Sequence, residues 1–503
     1  MIMSKVVTDK VRVGIDGFDE IAYGGVPRGR STLVSGTAGS GKTLFVIQFL
    51  VEGIRRFDEP GVLVTFEEEA SELIRNVASL KWDLQAYIDA GKLVIVDASL
   101  GMEDHGMQVG DFDLHGLLVR IEHAVRTIGA QRVSMDAVGA LFPQFADAQL
   151  VRRELHRLVL SLRNLQVTTL LTFERLEELG PIARLGVEEF VADNAVILRN
   201  RSELDRRRRT VEILKFRGAH HRKGEYPFTI DPRDGIDVLP MSDAAKEMAN
   251  VDERISTGID ELDIMMEGGL FSDHALLITG STGTGKTLTV TQFLNAGVQR
   301  GENVVLVALE ENRQQLKRNA RNWGFDYDSA EDNGLLTMVC RYPESMGLED
   351  HLVQIRRVVE EVNPTRVAID SMSAIERIST PKSFREFVIG LTGFFKQRGI
   401  AAVYTNTSPG LVGAASLTES HISTVTDSII MLRYVELGGQ MRRALTVLKM
   451  RGSGHEKSVR EYIITSAGMR IKGPLPGVPG LITGTSSPLL DEQWHLGRLF
   501  DDE

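Results

Sequence analysis

One phosphate-binding motif, present twice, constrains this chain more than any other feature. Gly36-Thr37-Ala38-Gly39-Ser40-Gly41-Lys42-Thr43 recurs 244 residues later as Gly280-Ser281-Thr282-Gly283-Thr284-Gly285-Lys286-Thr287. Each copy has the P-loop spacing of two glycines with four residues between them, then Lys and Thr. Each also has the required context, a short apolar strand before it (residues 31–35 and 275–279) and an amphipathic helix after it (43–56 and 287–300). In such a loop, backbone N–H groups close around phosphate oxygens at a positive helix terminus, the Lys adds a point charge, and the Thr hydroxyl reaches Mg²⁺. The competing reading is a glycine-rich turn of an α/β protein, and two copies in register argue against it.

At 503 residues the chain is too long for a single core, and the repeat favours two domains. No apolar run approaches the roughly 20 residues that span a bilayer, and Met1-Ile-Met-Ser-Lys5 carries no apolar signal core. The expectation is a cytoplasmic protein without membrane contact. The single cysteine, Cys340, excludes an intramolecular disulfide and a cysteine-rich zinc module, and a buried, inert thiol is expected. A net charge of −11 and a pI near 5.6 argue against a dominant nucleic-acid surface. The one basic run, Arg206 to Arg209, reads as a solvated or subunit-facing edge between two strands, with a phosphate-backbone site as the alternative.

The copies correspond well beyond the P-loops. Gly14-Ile-Asp16 matches Gly258-Ile-Asp260, and apolar strands ending in Glu67-Glu68 and Glu310-Glu311 follow the P-loop helices. Arg132-Val-Ser-Met-Asp136 matches Arg366-Val-Ala-Ile-Asp370 at an offset shortened to 234, which puts the contraction in the loop 99–113. Later strands pair as 168–173 with 401–406, 195–199 with 429–433, and 211–215 with 445–449. Strand, helix, strand in this order predicts an α/β fold: one P-loop domain duplicated in tandem, each copy a mostly parallel sheet flanked by helices. Domains are expected at 1–240 and 241–472, with 473–503 a mobile Pro/Gly/Ser-rich, then acidic tail.

Hydrolysis or transfer needs more than a P-loop. Asp136 and Asp370, ending apolar strands read as lying beside the P-loop strand, are placed for the Mg²⁺ role with Thr43 and Thr287. One of each pair Glu67-Glu68 and Glu310-Glu311 can orient or deprotonate an attacking hydroxyl, with solvated strand-end acids as the alternative. Lys215-Phe-Arg217 and Lys449-Met-Arg451 end the last strands, and basic residues at i and i+2 project to one face. They either reach a neighbouring subunit's γ-phosphate or are ordinary strand-end charges. The copies diverge where Glu189-Phe190 stands against Ser423-Thr424. Near a nucleotide only the second copy could accept a phosphoryl group, although taken alone the segment reads as a polar loop.

Several segments resemble the KaiC family of circadian-clock ATPases and autokinases: Thr65-Phe-Glu-Glu68, residues 174–184, 224–230, 342–351, 384–390 and Ser420-His-Ile-Ser-Thr-Val-Thr-Asp427. The similarity runs from about residue 13 to 471. It implies tandem duplicated RecA-like P-loop NTPase domains in a homohexameric double ring holding ATP and Mg²⁺ between subunits, with a slow ATPase in the first tier and an autokinase in the second. It places the phosphoacceptors on Ser423 and Thr424, with a further family threonine at Thr418. The catalytic glutamates fall on Glu67, Glu68, Glu310 and Glu311, Glu310 also standing near the metal, and the trans cations on Lys215, Arg217, Lys449 and Arg451. The implied ATP contacts are Gly39, Ser40, Gly41, Lys42, Thr43, Leu44, Lys215, Arg217 and His221 in the first copy. In the second they are Gly283, Thr284, Gly285, Lys286, Thr287, Leu288, Trp323, Arg443, Lys449, Met450, Arg451, Ser453, His455 and Lys457. Without the resemblance, Trp323 reads as a core or surface residue.

Departures limit what carries over. Leu80-Lys81 stands where the family usually has Phe-Gly, Glu419 where Asp is usual, and the tail after Gly473 is only faintly similar. The family's activating partner KaiA acts on that tail, so dependence on KaiA does not carry over. A KaiB-like partner for the first tier is implied, although the loop 99–113 differs. Three functions compete: an autophosphorylating Ser/Thr kinase and ATPase serving as a timing or signalling hub, a RecA-type ATPase that remodels nucleic acid, and a nucleotide-gated scaffold.

Overall fold

The computed structural model of the chain describes residues 9–98, 114–144, 148–180, 192–203, 206–240, 252–408, 422–437 and 439–475. The chain divides into two units, Met1–Pro240 and Met241–Glu503.

Each unit is built on a nine-stranded sheet of the same strand order. The first runs Leu93–Asp97, Gly61–Thr65, Arg132–Asp136, Thr168–Glu174, Ser31–Gly36, Asn194–Glu203, Arg206–Phe216, Glu225–Asp231, Gly235–Val238. The second runs Leu336–Cys340, Val304–Ala308, Arg366–Asp370, Ala401–Thr407, Ala275–Gly280, Ser428–Leu437, Gln440–Met450, Arg460–Thr465, Gly468–Pro474. The first six strands of each are parallel and the last three add antiparallel pairings. Burial on both faces explains the near-continuous apolar runs of the parallel strands. In the first unit, successive residues Leu33 and Val34, or Leu170 and Leu171, enter separate apolar layers on opposite faces.

The strand order corrects one expectation. Asp136 and Asp370 do not end the strand beside the P-loop strand; Thr168–Glu174 and Ala401–Thr407 lie between. Order along the chain does not give order across a sheet, because crossover helices allow a later strand to insert between two earlier ones. The Arg206 to Arg209 run is likewise not an edge between strands but the opening of Arg206–Phe216, paired with Asn194–Glu203. Its Nη1 of Arg207 donates to Asn200 O at 3.1 Å. Between strand and helix, the connection Asp97 to His115 has seventeen residues and its counterpart, Cys340 to Leu348, has seven. This accounts for the contraction, while 99–113 itself lies outside the described residues, as do 476–503. The last strand runs through Pro474, past the expected start of the tail, and Leu475 is buried.

The P-loop helices are Lys42–Phe57 and Lys286–Gln299. Each is preceded by a glycine in the left-handed region, Gly41 at φ 94° and Gly285 at φ 100°, a conformation that a Cβ disfavours. Each helix is tied to its aspartate strand by a buried arginine. Arg132 pairs with Glu59 and donates to Phe49 O at 2.8 Å; Arg366 pairs with Glu302 at 2.6 Å and donates to Phe293 O at 3.2 Å. Gly53 and Gly297 leave the room these guanidinium groups occupy.

Candidate active site

The P-loop and the strand-end aspartate converge in both units. Thr43 Oγ1 donates to Asp136 Oδ2 at 2.7 Å, and Thr287 Oγ1 to Asp370 Oδ2 at 2.7 Å. The intervening strand supplies a second donor, Thr172 or Thr405, to the other aspartate oxygen. A hydroxyl beside a carboxylate oxygen is the hard-oxygen pair that suits Mg²⁺, which takes few protein ligands and completes its octahedron from phosphates and water. Among the described residues no group of three or more His, Cys, Asp or Glu forms an all-protein cage. The residues present therefore fit a nucleotide-borne metal.

Lys42 Nζ donates to Thr37 O at 2.9 Å, and Lys286 Nζ to Gly280 O at 2.8 Å and Ser281 O at 3.0 Å. Burial pushes both ammonium groups below their ordinary value, against the acids nearby: Glu174, Asp136, Glu67 and Glu178 for Lys42, Asp370 and Glu310 for Lys286. Burial also pushes the Asp370 carboxyl up, although Thr287 and Thr405 oppose this. Burial disfavours each charged form, and an opposite charge brought beside it would offset that cost. Ser40 and Thr284 inside the loops are fully buried, and Leu44 and Leu288 pack on the cores.

The glutamate pairs divide their neighbours. Glu68 accepts from Asn76 at 3.2 Å and Glu311 from Asn319 at 3.0 Å, so the second member of each pair is tied to the helix that follows. The first member shares its electrostatic surroundings with the P-loop lysine. Burial raises the Glu67 carboxyl, helped by Asp136 and Glu174; burial and Asp370 raise that of Glu311. Glu310 accepts from Ser371 Oγ at 2.8 Å and from Arg377 Nη2 at 2.8 Å.

The cations and acceptor hydroxyls lie at the other end of the sheet from the P-loop of their own chain. Asp427 N donates to Ala275 O, at the start of the P-loop strand. Gly280 is five residues on, roughly 16 Å at about 3.3 Å per residue. The helix Ile422–Val425 holds Ser423, half-buried, and Thr424, exposed. Lys449 Nζ donates to Ser423 O at 3.0 Å and Thr426 O at 2.6 Å, and Arg451 Nη2 to Thr424 O at 3.2 Å. In the first unit Lys215 Nζ donates to Ala192 O at 3.1 Å, and Arg217 stands 3.7 Å from Asp193.

The remaining expected ATP contacts divide between the two ends. Arg443 stacks over Tyr434, whose hydroxyl donates to Gly283 O at 2.7 Å, so it lies with its own P-loop. Ser453 joins Arg254 and Glu267, and His221 Nδ1 donates to Arg222 O at 2.9 Å. Met450 is buried in the core, which leaves only its backbone available; Trp323 packs half-buried on that core. His455 is half-buried and Lys457 exposed. Thr418, Glu419 and Glu189-Phe190 lie outside the described residues. Sequence reasoning missed Thr172, Thr405, Ser371, Arg377 and Tyr434. It also missed the cis peptides Asp136–Ala137 and Asp370–Ser371. The aligned copies offered one signal, Ser371 against Ala137.

Two P-loop sites on duplicated sheets of this order define a tandem RecA-like ATPase. A family model described as "ATPase: KaiC" matches residues 11–243 and again 255–475. Similar proteins include the circadian clock oscillator protein KaiC of Thermostichus vulcanus, 51% identical over 498 residues, covering 99% of this chain and 95% of the relative. The circadian clock protein KaiC3 of Synechocystis sp. is 51% identical over 498 residues, 98% of each chain. The circadian clock oscillator protein KaiC of Picosynechococcus sp. is 52% identical over 491 residues, 97% of this chain and 95% of the relative. The chain belongs to the KaiC family, whose nucleotide-binding ATPase domain it carries twice. Among the described residues no helix is long and apolar enough to cross a membrane.

Proposed function

We propose that the chain is a Mg²⁺- and ATP-dependent Ser/Thr autokinase and ATPase that works as a cytoplasmic homohexameric double ring, a timing or signalling hub. The supporting observation is the placement of Ser423, Thr424, Lys449 and Arg451 at the sheet end remote from their own Lys286. A subunit so built serves a neighbour's nucleotide and not its own. Head-to-tail packing of one end on the other closes into a ring.

In the second tier, the backbone amides of 283–288 and Lys286 would bind the phosphates, and Thr287 and Asp370, with Glu310 beside them, would hold Mg²⁺. Mg²⁺ held there would supply charge neutralisation for the phosphates. Glu310 accepts the proton of the neighbour's Ser423 or Thr424 hydroxyl, and the neighbour's Lys449 and Arg451 face the charge that develops on transfer. The reverse step returns phosphate to ADP. In the first tier the equivalent set is Lys42, Thr43, Asp136, Glu67 and Glu68, completed by a neighbour's Lys215 and Arg217. With Glu189-Phe190 in the acceptor position, water is the remaining nucleophile and hydrolysis the outcome. A KaiB-like protein is the proposed partner of this tier; the tail gives no support for KaiA.

Mass spectrometry after incubation with Mg-ATP tests the reading. Phosphate is expected on the peptide containing Ser423 and Thr424 and lost in Glu310→Gln; its absence from the parent protein overturns the kinase assignment. An ATPase rate unchanged by single-stranded DNA is expected, and stimulation with salt-sensitive binding would favour nucleic-acid remodelling instead.

A further inference from the structure

A row of three side chains runs across the outer strands of each sheet, above the P-loop. In the second unit Tyr434 pairs with Arg443 and Arg443 with Tyr462; in the first, Asn200 pairs with Arg209 and Arg209 with Phe228. Residues directly opposite one another in antiparallel pairs share a face of the sheet. That face covers the loop in both units. A Cβ on Gly285 would meet Ile464 at 3.1 Å and one on Gly41 would meet Ile230 at 3.3 Å, and these isoleucines stand two residues on from Tyr462 and Phe228.

The rows differ in what they donate. Tyr434 Oη donates to Gly283 O at 2.7 Å, and the fully buried Tyr462 hydroxyl donates to the next carbonyl, Thr284 O. In the first unit Asn200 Nδ2 and Arg209 Nε both reach one carbonyl, Gly39 O, at 3.3 and 3.4 Å, and Phe228 has no hydroxyl to offer Ser40 O. The outer strands therefore hold the second loop at two successive carbonyls and the first loop at one.

We propose that Tyr462 is a positioning residue of the second nucleotide site, fixing the Thr284–Gly285 peptide so that its N–H faces the phosphates; this rests on nucleotide binding by the P-loop and not on phosphoryl transfer. The peptide is trans, so its C=O and N–H point to opposite sides. The hydroxyl that draws Thr284 O toward the outer strands turns the Gly285 N–H the other way, at the start of the helix Lys286–Gln299, whose positive end gathers phosphate oxygens. Removal of the hydroxyl leaves a buried carbonyl unpaired, and the free loop relaxes by rotating that peptide toward another donor. Nucleotide binding must then reverse the rotation, so the cost falls on affinity. With the bond in place the loop meets phosphate already ordered.

The test is Tyr462→Phe in the full-length chain, which keeps the ring and gives this position the residue that the first unit carries as Phe228. Lys42→Ala in the same chain weakens the first site, and a chain with both Lys42→Ala and Lys286→Ala defines the residual signal. Equilibrium displacement of a fluorescent ADP analogue by Mg-ATP reads the affinity. Tyr462→Phe is expected to raise the dissociation constant at least about fivefold, the scale of one hydrogen bond. Turnover at saturating ATP should stay within twofold, so that the change appears in KM and not in kcat. An unchanged dissociation constant overturns the proposal, whether turnover falls or the urea midpoint alone drops, because the bond then serves catalysis or stability and not binding. Failure of the P-loop reading is separately visible: the Lys42→Ala chain with Tyr462 intact would bind no more nucleotide than the double variant. Unchanged elution of the Tyr462→Phe chain controls for folding.

Discussion

Lys449 and Lys286 of one chain stand at opposite ends of the same sheet. Lys449 pairs with Ile429, which pairs with Leu277 near the start of the P-loop strand, while Lys286 holds Gly280 O at its finish. A side chain cannot cover that separation, so a cation pair acting on ATP acts on the ATP of another copy. Lys449→Met is expected to lower phosphate incorporation by about 10²- to 10³-fold, the usual loss when one preorganised charge-stabilising donor is removed. First-tier ATPase measured in the same preparation should change less than twofold.

Thr287 Oγ1 donates to Asp370 Oδ2 at 2.7 Å, the hydroxyl–carboxylate pair that would hold the proposed Mg²⁺. Thr287→Val keeps the shape and removes the ligand. Titration of Mg²⁺ at fixed ATP is expected to show at least a tenfold higher half-saturating Mg²⁺ concentration at the second tier, on the order of what loss of a metal-site partner costs. Chelation of Mg²⁺ should stop both hydrolysis and incorporation in the parent.

Arg366 is fully buried, and its charge is matched by Glu302 at 2.6 Å. Glu302→Gln leaves the guanidinium uncompensated and should destabilise the second unit by about 2–3 kcal/mol, read as a shift of the urea midpoint. Burial alone would raise the Glu302 carboxyl, but Arg366 outweighs it and holds the group below its ordinary 4.5. A lowered carboxyl contributes stability above its unfolded value and loses it as pH falls through the folded one. The pair's contribution is therefore present at neutral pH and disappears below about pH 4.5, so parent and variant should converge in acid.

Most of the parallel core was legible because strands buried on both faces and P-loop helices leave strong local patterns, and two copies allowed each to check the other. Arg132–Asp136 and Arg366–Asp370 fall where the repeat put them. The strand inserted between P-loop and aspartate was recognised as a strand but not placed, since pairing order is set by crossovers and not by adjacent residues. The outer strands Glu225–Asp231 and Arg460–Thr465 were not assigned: half-exposed and mixed in composition, they lack an apolar run. At the site, residues inside a motif were readable. Ser371, Arg377 and Tyr434 were not, because they act through contacts made only once distant segments meet.

The most direct test of shared sites mixes two variants in ATP. One lacks the second-tier P-loop charge (Lys286→Ala) and keeps its acceptors; the other keeps the P-loop and lacks the acceptors (Ser423→Ala, Thr424→Ala). Neither alone should incorporate phosphate. If subunits complete each other, the mixture labels Ser423 and Thr424 of the Lys286→Ala chains; a mixture that stays unlabelled while parent protein is labelled means that each chain phosphorylates only itself.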